Sequence, residues 1–338
     1  MILVTGGTGL VGSHLLYNLI KEGKEVKAIY RRQNKLGSVK KVFSYYSEDF
    51  EALFNKIEWV EANINDIPAL EIAFQGITHV YHCAAFVSFE PDKYHQLRRI
   101  NIQGTANIVN LCISNKIQKL CYISSVAAIG NEHNPEIFSN EDTPWNTEED
   151  ISVYAITKYG AEIEVWRGTQ EGLDAVIVNP GIILGPGHWR SGSSGSLIRL
   201  ISKGMSYYTN GISSYVDIWD VINASIQLMN SNIKNERFIL VSENITFNDF
   251  QKSVAKELKV EPAKKEATKF ILEIGWRLDW LNHKLRGKRR TLSKQMAKTL
   301  RSKRCYDNSK IKQALNFEFT PIDDSIKTVS AYFKKDLE

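Results

Sequence analysis

"LVTGGTGLVGSHLL" (Leu3–Leu16) places Gly6, Gly7, Gly9 and Gly12 within seven positions. Ahead of them, Met1–Thr5 is short and apolar enough for a buried strand. Behind them, Leu10, Leu15, Leu16, Leu19 and Ile20 can share one helical face. A tight strand-to-helix turn needs residues that tolerate positive φ. The G-x-x-G-x-x-G spacing of Gly6, Gly9 and Gly12 also leaves backbone N–H groups at a helix start uncovered by any Cβ, the arrangement that holds a pyrophosphate. Spacing alone also describes a plain tight turn. The context argues against that, because a second strand, "KEVKAIYRR" (Lys24–Arg32), follows after one helix length and completes a βαβ unit.

The alternation continues outward from this unit. "EWVEANIND" offers a third strand ending near Asn63, "THVYHCAAF" a fourth, "KLCYISSVAAIG" a fifth and "DAVIVNPGIILGPG" a sixth. Helical segments separate them at Pro68–Phe74, Tyr94–Ser114 and Val153–Glu171. The pattern predicts an α/β protein built on a doubly wound parallel sheet, a Rossmann fold. That domain spans 1–187, with a return segment near 215–242, and a smaller C-terminal substrate lobe occupies most of 188–338. Ligands of such sheets bind beyond the carboxyl ends of the strands. Those ends carry Gly6–Gly12, Arg31, Asn63, Ala84–Ala85, Ser125 and Pro180–Gly181. An acid closing the second strand would accept from a ribose 2′-OH and favour NAD. Tyr30, Arg31 and Arg32 stand there instead, and two guanidiniums suit a 2′-phosphate. NADP is therefore the expected cofactor and NAD the alternative, while a solvated loop remains the plain reading of the two arginines.

"YAITK" sets Tyr154 and Lys158 four apart, on one face of a helix. The pattern recurs by chance and is informative only in context. Here it follows a dinucleotide loop and comes about thirty residues after a strand ending in Ser124–Ser125. A neighbouring ammonium and an oxidised nicotinamide would lower the tyrosine pKa from about 10 towards working pH. Tyr154 would then exchange a proton with an alcohol or carbonyl, Ser125 would donate a hydrogen bond to the same oxygen, and the cofactor would carry the hydride.

With "TGGTGLVGSHL", "HCAA", "NIQGT", "ISSVAAIG", "YAITK" and "NPGIILGPG" in order, the chain resembles the extended short-chain dehydrogenase/reductase superfamily, also called the NAD-dependent epimerase/dehydratase family. "YVDIWDV" and "YDNSKIKQALNFEFTPIDDSI" extend the resemblance over nearly the whole chain. It implies Tyr154 as acid/base, Lys158 on the nicotinamide ribose and Ser125 as the catalytic hydroxyl. It also implies Gly6, Gly9, Leu10, Val11 and Gly12 on the pyrophosphate, and Asn63 and Ile64 at the adenine, although the family usually has aspartate where Asn63 stands. Ala84 and Ala85 would flank the cofactor, Pro180 would lie near the nicotinamide, and Asn101 matches a helix-start asparagine of the family. Relatives dimerise through the helices bearing "NIQGT" and "YxxxK", so the resemblance implies a homodimer.

Val126 and Ala127 follow Ser125 where sugar 4,6-dehydratases carry an Asp-Glu pair, which argues against dehydration. Near Ser213, in "GISSYVDIWDV", many nucleotide-sugar epimerases have an arginine for the diphosphate; Arg190 and Arg199 are the available substitutes. "VDIWDV" and Arg31 resemble the branch of dihydroflavonol reductases and 3β-hydroxysteroid dehydrogenases. The expected function is an NADP(H)-dependent oxidoreductase acting on a secondary alcohol or ketone. A nucleotide-sugar epimerase and a non-catalytic dinucleotide sensor are the alternatives, and the complete Ser125/Tyr154/Lys158 set argues against the sensor.

The formal charge of +5 over 338 residues hides an asymmetry. Pro262–Cys305 holds fourteen Lys/Arg against three acids, a local +11 that leaves −6 for the rest. Within it, Phe270, Ile274, Leu278, Leu281 and Leu285 fall at helical spacing, and Trp276 and Trp280 add a second stripe. The plainest reading is a helix covering the lobe's core with its basic residues in solvent. The sharper ones are a peripheral contact with anionic membrane through 264–304, or anionic substrate capture by Arg286–Arg290. No recognised nucleic-acid module accompanies the charge, so nucleic acid is not an expected partner. "SGSSGS" (Ser191–Ser196) reads equally as a linker or as a loop over the substrate pocket. Cys83, Cys112, Cys121 and Cys305 lack metal-ligand spacing and read as reduced thiols. The seven histidines form no metal motif, so no metal is expected. His82 reads as a strand-end packing residue. No signal peptide or membrane span is apparent, and the expectation is a soluble, cytoplasmic protein.

Overall fold

A computed structural model describes residues 1–132, 137–146, 151–189, 194–286 and 292–337. The strands β1 (Ile2–Thr5), β2 (Val26–Tyr30), β3 (Glu58–Glu61), β4 (His79–His82), β5 (Lys119–Ile123) and β6 (Ala175–Pro180) join Glu236–Leu240 in one parallel sheet. From one edge the order is Glu236–Leu240, β6, β5, β4, β1, β2, β3. The chain winds outward from β1 to β3, then crosses back to start the other half at β4. This reversal makes the space beyond β1 and β4 the topological switch point, where a doubly wound sheet opens a crevice. Thr5 and His82 are paired across it.

Both faces of the sheet are covered, which is why β5 and β6 are buried along their whole length. On one face Val4 of β1 packs with Leu15, Leu16, Phe43 and Val221 from the helices Leu10–Lys21, Leu36–Ser44 and Ile218–Asn230. On the other, Leu3 of β1 packs with Leu70, Val109, Ala161 and Val165 from Ile67–Phe74, Gly104–Ser114 and Val153–Gln170. Two expected elements are interrupted. The segment read as one helix over Tyr94–Ser114 contains a π-helical turn at Arg98–Gln103. The sixth strand breaks at Gly181, where a Cβ would run into the Ser214 carbonyl. The chain then enters a second sheet, with Ile182–Leu184 beside Ile212–Asp217 and, beyond it, Glu243–Thr246.

That second sheet and the helices Ser194–Ser202, Phe247–Leu258 and Ile322–Lys335 form the smaller lobe around Leu184, Ile198, Tyr215, Phe250, Ile326 and Phe333. Asp336, just past the last helix, ties the lobes together. It accepts from Lys41 Nζ at 2.6 Å, from Trp189 Nε1 at 2.7 Å and from the Tyr45 hydroxyl.

The helix Lys269–Arg286 departs from its plainest reading. Leu272 and Trp276 pack against Leu292, Ala297 and Leu300. The stripe of Phe270, Ile274, Leu278, Leu281 and Leu285 faces solvent instead of the lobe's core. Residues 287–290 and Arg190–Gly192 fall outside the described residues, as does Ser193.

Candidate active site

The first turn of the chain is shaped by close backbone approaches. Gly6 adopts φ +68°, and a Cβ there would sit 2.6 Å from the Ala84 amide nitrogen. A Cβ on Gly12 would land on the Gly6 carbonyl oxygen. Gly9, by contrast, is exposed, and a Cβ on it would meet the Gly6 oxygen at an ordinary 3.4 Å. Gly9 caps the helix Leu10–Lys21 without a side-chain hydrogen bond, and no acid occupies the first turn. The first N–H groups of a helix have no intrahelical acceptor. This cradle suits an anionic pyrophosphate by donor set and by space, with Leu10, Val11 and Gly12 in the first turn.

Around the cradle, the strand ends present the expected residues. Arg31 and Arg32 follow β2, are exposed, and make no ion pair among the described residues. Asn63 is exposed after β3, its Oδ1 accepting from the Asn65 amide at 3.1 Å. Ile64 is buried against Gly104. Ala84 and Ala85 follow β4, and the Ala84 amide donates to Thr5 Oγ1 at 3.3 Å. Pro180 ends β6 in the sheet interior. Asn101, on the π-helical turn, has its amide engaged by the protein. Its Oδ1 accepts from the Phe86 amide at 2.8 Å, and its Nδ2 donates to the Phe86 carbonyl and to Thr157 Oγ1 at 3.0 and 3.1 Å. It thus fixes the loop after β4 to the helix that carries Tyr154.

His82 is a neutral structural residue. Thr105 Oγ1 donates to the Asn101 carbonyl at 2.6 Å, so it accepts from His82 Nε2 at 3.0 Å. Nδ1 is then the acceptor for Thr5 Oγ1 at 2.6 Å. Burial lowers the imidazole pKa to about 3, and the Lys158 charge adds to the shift.

The helix Val153–Gln170 starts at Ser152, whose side chain accepts from the Ala155 amide, and it brings Tyr154 and Lys158 inward. The Tyr154 phenol lies beside the Ser125 hydroxyl, which favours its ionised form, and Phe89 stands edge-on at 5.6 Å. Ser125 Oγ also accepts from the Ala127 amide at 3.2 Å, which orients it at the end of β5. Ser124 points elsewhere, donating to Glu162 Oε1 at 2.5 Å.

Lys158 is 1% exposed and donates to the Tyr122 hydroxyl at 2.6 Å and to the Ile123 carbonyl at 3.0 Å. Burial lowers its pKa to about 7, opposed by the Glu162 carboxylate. Burial also raises Tyr154 to about 12 against the pull of Ser125. The expected lowering of the Tyr154 pKa joins Lys158 to an oxidised nicotinamide; in the protein alone burial sets the phenol and Ser125 opposes it. Desolvation dominates, and the ammonium is bonded to Tyr122 and Ile123.

A profile of the NAD dependent epimerase/dehydratase family matches residues 2–240. The chain belongs to this family. A Synechocystis protein named "Putative dihydroflavonol 4-reductase" is 31% identical, over 72% of this chain and 68% of that one. "Sterol demethylase protein B" of Methylococcus capsulatus is 29% identical over 72% and 70%. Among solved structures, UDP-glucose 4-epimerase of Thermotoga maritima superposes with a TM-score of 0.75 at 22% identity, covering 100% of this chain and 99% of that one. This member of the epimerase/dehydratase family is an NAD(P)-dependent enzyme of the extended short-chain dehydrogenase/reductase type.

Sequence reasoning missed the supports of the family site. Glu162 is 1% exposed and accepts from Ser124, from Asn179 Nδ2 at 2.6 Å and from Arg237 Nη1 at 3.2 Å. The Asn179 Nδ2 also donates to the Ser125 carbonyl at 3.0 Å, linking the carboxylate to the Ser125 backbone. The four-residue step from Lys158 to Glu162 was a readable signal for a shared helix face. Tyr122 and Arg237 carried no local signal.

Proposed function

We propose that this protein is an NADP(H)-dependent oxidoreductase that reduces a ketone to a secondary alcohol, or runs the reverse reaction. The observation that carries the reading is the placement of Tyr154 beside Ser125 at the end of β5, with Lys158 buried on the same helix. When bound, the nicotinamide supplies or accepts the hydride. Ser125 and Tyr154 together hold the substrate oxygen. A phenol held near 12 is protonated at neutral pH, the form that donates a proton to a carbonyl oxygen as the hydride arrives. Lys158 binds the nicotinamide ribose and supplies positive charge behind the phenol.

Gly6, Gly9 and Gly12 with the first turn of the helix hold the pyrophosphate. Arg31 and Arg32, exposed and without an ion pair among the described residues, favour a 2′-phosphate and hence NADP over NAD. Phe89 beside Tyr154 and Val126 beside Ser125 favour an apolar substrate. Ser213, half-buried on the strand Ile212–Asp217, supplies no cation for a nucleotide diphosphate, which weighs against the epimerase reading. Ile156 and Ile163, exposed on the helix Val153–Gln170, suit the homodimer contact.

The test is NADPH oxidation against a panel of apolar ketones, run beside interconversion of UDP-sugars. Ketone-dependent NADPH consumption is the expected result. Sugar interconversion with no net cofactor turnover would establish the epimerase, and tight NADPH binding without either activity would establish a sensor.

A further inference from the structure

The helix Lys269–Arg286 presents to solvent a face more apolar than the one it packs inward. Phe270 and Leu285 are each 72% exposed, Leu278 56%, Leu281 44% and Ile274 42%. At 3.6 residues per turn these five side chains fall within an arc of about 80°. Single exposed apolar residues are ordinary, whereas a continuous stripe marks an interaction surface. Lys284 and Arg277, the latter ion-paired with Glu273 at 2.6 Å, border the stripe on one side, and Trp280 lies beyond them, its ring 5.2 Å from Lys284 Nζ.

We propose that this helix is the docking surface of the protein for an anionic lipid bilayer, lying in the plane of the headgroups. Charge complementarity selects the occupant: residues 262–305 carry a net +11, while the rest of the chain carries −6. Basic side chains beside an apolar stripe, with a tryptophan at the flank, match the composition of interfacial helices. The helix does not span, since among the described residues no helix is long and apolar enough to cross a membrane. A second copy of the chain is a poorer occupant, since a two-fold pairing of this helix with itself would bring two segments of net +11 together. An apolar substrate partitioning into the bilayer would then meet the enzyme where that substrate is concentrated.

The experiment is co-sedimentation of the full chain with vesicles of phosphatidylcholine containing about 30% phosphatidylglycerol, and with phosphatidylcholine alone, from about 0.02 to 0.5 M salt. Binding is expected on the anionic vesicles at low salt, falling at least tenfold at high salt, with little on the neutral ones. The double variant Leu278→Glu/Leu281→Glu should bind at least tenfold more weakly, and Lys284→Glu should weaken binding less. Because these side chains are exposed, both variants should retain NADPH affinity and melting temperature. Absence of binding, equal binding to neutral vesicles, or binding that survives the double variant overturns the proposal. So does a lipid-free assembly whose mass, measured by light scattering, falls in the double variant, since the stripe would then be a contact between copies.

Discussion

Lys158 Nζ sits 2.6 Å from the Tyr122 hydroxyl, so the helix bearing Tyr154 is locked to the end of β5 by a buried ammonium. The contact links the two segments that carry Ser125, just after β5, and Tyr154, on the helix.

The lock has a pH signature. Lys158 is held at about 7 in the folded protein, against 10.5 for the ordinary side chain. Between those values the unfolded chain binds the extra proton, so this group's contribution to stability rises with pH and is lost as pH falls through 7. Lys158→Met removes the titration. The unfolding free energy of the parent minus that of the variant, from urea melts, should rise by up to a few kcal/mol between about pH 6 and 10. A flat difference would refute the buried ammonium.

Tyr154→Phe keeps the ring and removes the transferable proton. Ketone-dependent NADPH oxidation should fall by about 10²–10⁴, the usual range for a lost general acid, while NADPH affinity stays within about threefold. Unchanged turnover on a genuine substrate would remove the phenol from the chemistry.

Glu162→Gln should separate support from chemistry. Leaving Arg237 facing an amide should cost about 3 kcal/mol of stability, as when a buried ion pair loses one member. The carboxylate also holds the Lys158 pKa up. The alkaline fall of activity should therefore begin at lower pH in the variant, a change that a purely structural defect would not cause.

The two glycines of the opening turn should behave oppositely. Gly12→Ala forces a Cβ onto the Gly6 carbonyl and should lower the melting temperature. Gly9→Ala meets only an ordinary contact. It should melt like the parent yet bind NADPH at least tenfold more weakly, because its methyl group occupies the pyrophosphate cradle.

Replacing Arg31 and Arg32 with alanine should weaken NADPH binding by about ten- to a hundredfold and leave NADH within about twofold. Isothermal titration with each dinucleotide reads this directly, and equal losses for both would assign the arginines to general charge.

The βαβ unit was legible from Gly6, Gly9 and Gly12 because a turn this tight excludes most other residues. The strand ends followed from the alternation of apolar runs. The break at Gly181 was not legible, because the obstacle is the Ser214 carbonyl, thirty-three residues away. Tyr122 escaped notice for the same reason: its role depends on a lysine thirty-six residues further on. The helix Lys269–Arg286 shows a different limit. Periodicity revealed its apolar stripe but carried no sign of which face the lobe would cover.

Asp336 gathers a lysine and a tyrosine from the Rossmann half and a tryptophan from the segment after Leu184. Lobe spacing is thus read out at a single carboxylate, and the helix before it behaves as a clasp between the halves. Asp336→Asn should leave the sheet intact while loosening the hold on Lys41 and Trp189.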